Sequence, residues 1–202
     1  MNGALHKYQF NSKTVDELGK LYDLILDKYP LLQTQAEEIL RTQIVMIVSA
    51  FDAFIHDITR IGLIEVYDGI RPQSTSCTKY PIGLTILSHI NSTTDSTIKI
   101  GILDSHIRDN NSKDSYQAPK SVEYALSLIN IANLWTKLSP AMALPASDIK
   151  NKLSLIVDRR NKIAHESDYN PTTGAKYPID KALVVNVIKY FDLLVPSIYN
   201  LL

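Results

Sequence analysis

The 202-residue sequence predicts an all-α domain, and three observations carry that expectation. Apolar residues recur at spacings of three and four, while period-two alternation flanked by hairpin turns is scarce. Stop signals such as Pro30 and the run "SPAMALPAS" fall between the periodic stretches. Hydrophobic residues make up 45% and charged residues 21%, the composition of an ordinary globule, and the length argues for one core. The expectation is a single domain over residues 1–202, a bundle of about five main helices with a polar insertion at 68–119.

The first helix should follow Thr14 as N-cap, with Glu17 completing a capping box, and carry Leu18, Leu21, Tyr22 and Ile25 until Pro30 stops it. The second is much longer. It starts near Thr34 and continues to about Tyr67, burying Leu40, Ile44, Ile47, Phe51, Phe54, Ile55, Ile58 and Ile61 along one arc. Residues 68–119 are rich in Ser, Thr and Asn and punctuated by Pro72, Pro81, Gly83 and Gly101. Within them "IGLTILSHI" and "STIKIGILDSHIRD" read as short helices or small strands. The third helix is expected from about Ser121 to Leu138, with Val122, Ala125, Leu126, Ile129 and Leu134 on its apolar side. A fourth begins beside Ser147 and Asp148. The last runs from about Ile179 to Leu202 through Leu183, Val187, Ile188, Phe191, Leu194 and Ile198, with a kink expected at Pro196.

Composition also excludes function classes. Lysine plus arginine equals aspartate plus glutamate at 21 each, so no bulk positive field draws nucleic acid or an acidic membrane, and any such contact must be local. The single Cys77 offers neither a disulfide nor a zinc or redox spacing, and a reducing, cytoplasmic setting is expected. The N-terminus lacks a signal-peptide core, and no run approaches the ~20 apolar residues that span a bilayer, so no membrane partner is expected. His89 and His106 lack companions at metal-ligand spacing. "TTGAK" lacks the order and preceding strand of a phosphate loop, which makes Gly174 a turn residue. Neither metal nor cofactor is therefore expected.

The fourth helix ends in "VDRRNKIAH", and its polar residues are placed by helical geometry. Steps of 100° from Leu153 put Ile156, Val157, Ile163 and Ala164 within roughly 80° of one another, with Arg160 in the middle of that arc. Ser154, Asp158, Asn161 and His165 line a polar stripe beside it. An arginine among apolar neighbours cannot lose its charge, so Arg160 needs an anion. Asp52 on the second helix is the preferred partner, Asp57 the alternative, and a substrate phosphate a third. Arg159 and Lys162 should be solvated. Two readings of the cluster stand open: cations meeting the negative end of the helix dipole, or an active site. For the second, an arginine to hold phosphate charge, an amide to orient it and a histidine to move protons suffice for attack of a ribose 2′-hydroxyl on its own phosphodiester.

These residues carry a resemblance. The run Arg160-Asn161-Lys162-Ile163-Ala164-His165 looks like the R-N-x-x-x-H signature of the HEPN superfamily, and "VDRRNKIAHESDYNPTTGAKYPID" resembles its RiboL-PSP-HEPN branch. The likeness extends to the last helix and, more loosely, to "FDAF" in the second. It implies a helical bundle that dimerises so that two motifs face each other in a metal-independent endoribonuclease site. Arg160 would bind and polarise the scissile phosphate, Asn161 would orient it or the arginine, and His165 would move the proton. It also implies an RNA substrate and a toxin–antitoxin or anti-phage setting, with an antitoxin or defence partner. The competing expectation keeps the fold and the dimer but uses the polar stripe only to bind a nucleotide or a partner protein.

Overall fold

The computed structural model describes residues 1–202 as eight α-helices: α1 (Asn2–Lys28), α2 (Gln33–Tyr67), α3 (Leu84–Asn91), α4 (Ser96–Asn111), α5 (Pro119–Leu128), α6 (Leu134–Met142), α7 (Ala146–Glu166) and α8 (Lys181–Tyr199). The only strand-like pairing is an isolated antiparallel bridge between Tyr169 and Lys176. The chain divides into two compact units, one of Asn2–Phe54 with Trp135–Leu202, the other of Met1 with Ile55–Leu134.

The first unit is held by α1, the first part of α2, α7 and α8. Leu40, Ile44, Ile47 and Phe51 are fully buried along α2, and Phe51 stacks at a tilt on Phe191 of α8, ring centroids 5.0 Å apart. Polar side chains then fix the helices against one another. Asp192 of α8 accepts from Tyr8 Oη at 3.0 Å and Ser12 Oγ at 2.7 Å on α1, and Gln43 Nε2 on α2 donates to the Val15 carbonyl at 2.7 Å. Tyr190 Oη donates to the Ile149 carbonyl at 2.8 Å, tying α8 to α7. By length and composition α8 could cross a membrane. Its Val184, Val187, Ile188, Phe191 and Leu194 are instead packed inside this unit, as in a core helix.

The second unit contains the segment expected as an insertion. Both of its short apolar runs are helical, α3 and α4, and Asp95 caps α4 by accepting from the Thr97 and Ile98 amides at 2.8 and 3.3 Å. Arg60 of α2 pairs with Asp104 of α4, whose other oxygen accepts from Arg108 at 2.7 Å. Arg71 joins Glu65 at 2.8 Å and donates to the Ile129 carbonyl at 3.3 Å.

Two helix boundaries differ from the sequence expectation. Thr14 does not start α1; its hydroxyl donates to the Phe10 carbonyl at 3.1 Å one turn back, the local bond a threonine makes inside a helix. The expected third helix is two, α5 and α6, because Asn130 and Asn133 adopt left-handed φ of 66° and 55° between them. Asparagine tolerates that region better than other side chains, so a helical pattern breaks there without glycine or proline.

Gly62 of α2 marks the tightest approach in the second unit. A Cβ there would lie 2.5 Å from Ile129 Cγ2 and 2.9 Å from its Cβ. Gly62→Ala is expected to destabilise the protein by about 1–3 kcal/mol through overpacking, read as a lower urea midpoint.

Candidate active site

Helix α7 begins as a core helix, with Ile149, Leu153, Ile156 and Val157 buried. Past Val157 the apolar arc leaves the core, so that Ile163 is half-buried and Ala164 exposed. Arg160 stands where the arc opens. That position removes the full burial expected to force it onto a carboxylate. Its guanidinium makes one hydrogen bond, from Nη1 to Asn161 Oδ1 at 3.1 Å, and its Nε is buried without a partner. The expected pairing with Asp52 does not form. Asp57, the alternative, lies 3.9 Å from Arg60. Asn161 and His165 are both exposed on the polar stripe, and the His165 ring has no hydrogen-bond partner within the chain.

The buried charge belongs to the preceding residue. Arg159 was expected to be solvated, yet its Nη2 donates to Asp168 Oδ2 at 2.8 Å, to the Pro178 carbonyl at 3.1 Å and to the Tyr177 carbonyl at 3.3 Å. Arg41, from α2, donates its Nε to the same Asp168 oxygen at 2.8 Å and its Nη2 to the Tyr177 carbonyl at 2.9 Å. Asp168 is 0% exposed and Arg41 3%. Burial draws the Arg159 guanidinium below its ordinary pKa, while Asp168 raises it again against the repulsion of Arg41. Arginine does not deprotonate in proteins, so Arg159 keeps its charge despite the burial. Lys162, also expected to be solvated, lies 4.8 Å from the centre of the Tyr177 ring.

The same carboxylate organises the turn after the motif. Ser167 and Asp168 are both left-handed, at φ of 52° and 63°. Both amides donate to the Lys162 carbonyl, that of Asp168 at 2.9 Å, which closes the end of α7. A hairpin follows, with Asn170 N on the Ala175 carbonyl at 2.8 Å and Tyr177 N on the Asp168 carbonyl at 2.9 Å. Gly174, at φ of 67°, turns it as expected. Lys176 then reaches Glu38 of α2 at 2.7 Å, and Tyr169 is left half-exposed.

Sequence reasoning missed Arg41 and Asp168. Arg41 had a signal, since helical steps from Leu40 put it only about 20° beyond Val48 at the rim of the buried arc of α2. Asp168 had none, because an aspartate in "SDYNP" reads as an ordinary turn residue. Two other histidines have partners away from the motif. His56 stacks on Tyr116 with centroids 4.4 Å apart, and His106 Nε2 lies 3.2 Å from the Pro81 carbonyl. No three of the His, Cys, Asp and Glu side chains converge as a metal would require. Burial pushes the Cys77 thiol above its ordinary pKa, away from a nucleophilic thiolate.

The family model described as RiboL-PSP-HEPN matches residues 10–202. The matched range runs through residues 68–119. No curated protein and no solved structure matches the chain significantly.

The buried anion and the exposed end of the motif should differ sharply in stability measurements. Asp168→Ala leaves two guanidinium groups without their shared anion and is expected to cost about 3–5 kcal/mol. Arg160→Ala removes one bond to an exposed amide and should cost less than about 1 kcal/mol. Urea denaturation of both variants beside wild type checks the contrast.

Proposed function

The chain belongs to the RiboL-PSP-HEPN family, and from that premise we propose that it is a metal-independent endoribonuclease. Its products carry a 2′,3′-cyclic phosphate. The observation that supports this most is the division of labour between adjacent arginines. Arg159 is bound to Asp168, whereas Arg160 has only an amide partner, on the same turns as a histidine with none. A guanidinium without an intrachain anion suits a phosphate, which it grips with two parallel hydrogen bonds.

In this reading Arg160 holds the scissile phosphate and offsets the charge that builds on its oxygens. Asn161, bonded to Arg160 Nη1, keeps the guanidinium facing the substrate. His165 moves the proton. The 2′-oxygen forms its bond to phosphorus as the bond to the 5′-oxygen breaks; one imidazole takes the 2′ proton and an imidazolium gives one to the leaving oxygen. A single His165 does not stand on both sides of the phosphate, so the site is a composite of two motifs in a symmetric homodimer. The half-buried Ile163 and exposed Ala164 around Arg160 supply apolar surface for that second copy. With a neutral overall charge, RNA is held locally at the motif. The setting we propose is a cytoplasmic toxin of a toxin–antitoxin pair or an anti-phage effector, restrained by a partner protein.

Pure wild-type protein incubated with RNA in chelator should yield cyclic-phosphate ends, and a 2′-deoxy substitution at the cleaved position should block that cut. His165→Ala and Arg160→Ala are each expected to lower the rate at least about 100-fold. Equal cleavage by wild type and His165→Ala removes the histidine from the mechanism. A wild type that cleaves nothing but binds nucleotide points to the binding-module alternative.

A further inference from the structure

We propose that Asp168 is a positioning residue for His165, a role that rests on the ribonuclease reading above. By gripping Arg41 and Arg159 it holds shut the last turn of α7, on which the histidine stands. His165 is the penultimate residue of that helix, which ends at Glu166. Terminal helical turns fray and open at low free-energy cost. A proton-transfer group placed there needs the end pinned.

The pin is built from strained backbone. Ser167 and Asp168 are consecutive left-handed residues, neither of them glycine, and such conformations persist only where the surroundings over-determine them. Here the surroundings are the two guanidinium groups on one Asp168 oxygen, each at 2.8 Å. The same two arginines bond the Tyr177 carbonyl, at 2.9 and 3.3 Å. The knot therefore fixes both feet of the hairpin, where the chain leaves α7 and where it returns. Arg41 reaches it from α2, so the anchorage comes from the body of the unit.

Arg160 does not depend on this pin. It lies more than a turn before the helix end, directly after a stretch whose Ile156 and Val157 are buried. Loosening the knot should displace the imidazole while leaving the phosphate-binding guanidinium in place. The predicted signature is a fall in kcat per folded molecule at nearly constant KM. A loss of folded fraction also lowers apparent kcat, so the folded fraction is measured alongside and the local hydrogen exchange separates the two.

Arg159→Gln tests this with the Arg41–Asp168 pair intact, and Asp168→Asn is the stronger variant. For Arg159→Gln we expect kcat on RNA to fall about 10–100-fold with KM within about twofold of wild type. Amide hydrogen exchange over residues 162–168 should accelerate while that of α8 is unchanged. Asp168→Asn should show the larger acceleration. Cleaving wild type beside an Arg159→Gln variant of equal kcat overturns the positioning role alone, as does an unchanged exchange rate over 162–168. Absence of cleavage by wild type overturns the ribonuclease reading and this role together.

Discussion

A carboxylate shut off from solvent, Asp168, accepts from guanidinium groups of two helices, Arg41 on α2 and Arg159 on α7. Ions removed from water are tolerated only when paired and hydrogen-bonded, so this trio is a constraint as much as a bond. Its geometry dictates where α7 must end, where the hairpin after it must fold back, and which face of α7 turns toward α2. Glu38 and Lys176 extend the network at the rim, at 3.1 Å from Arg41 and 2.7 Å from each other. Exposed ion pairs of that kind add little stability. The buried centre carries the weight.

That constraint separates two neighbours with the same side chain. Successive residues on a helix point 100° apart, so when Arg159 is turned to the buried anion, Arg160 is turned to the opening side of the helix. There the apolar arc has left the core, and Ile163 and Ala164 no longer cover it. The locked arginine and the available one are thus consequences of a single choice, the rotation of α7 that satisfies Asp168.

Much of the architecture was legible in the sequence because it rests on periodicity. The long apolar arc of α2 fixes a helix from Gln33 to Tyr67, within a residue of the expected start, and α7 and α8 follow from the same rule. What periodicity does not encode went astray. Nothing in the pattern of "SLINIANLW" marks the two left-handed asparagines that split α5 from α6, and Thr14 has the composition of a cap while sitting in mid-helix. Within residues 68–119 periodicity left α3 and α4 open between helix and strand, since α3 buries Ile90 alone and α4 only Leu103, Ile107 and Asn111. At the site, Arg160, Asn161 and His165 were readable because they lie within two turns of one helix. The anion knot was not, since Arg41 and Asp168 are brought together across 127 positions and no local spacing announces such a pair.

The bland account of the motif, cations gathered by the helix dipole, can now be weighed residue by residue. Arg159 is accounted for by Asp168 and two carbonyls, and Lys162 lies over the Tyr177 ring, an attraction of about 0.5–1 kcal/mol at exposed sites. The dipole's pull falls away beyond the last turn, which leaves it His165 and little else. Arg160 is reached by none of these: it is too far from the helix end, and its guanidinium bonds only the Asn161 amide oxygen and no carboxylate of its own chain. It is partly exposed where the apolar arc opens, so its charge is solvated in the free chain and left open to an anion from outside the fold, which is what the proposed reading asks of it.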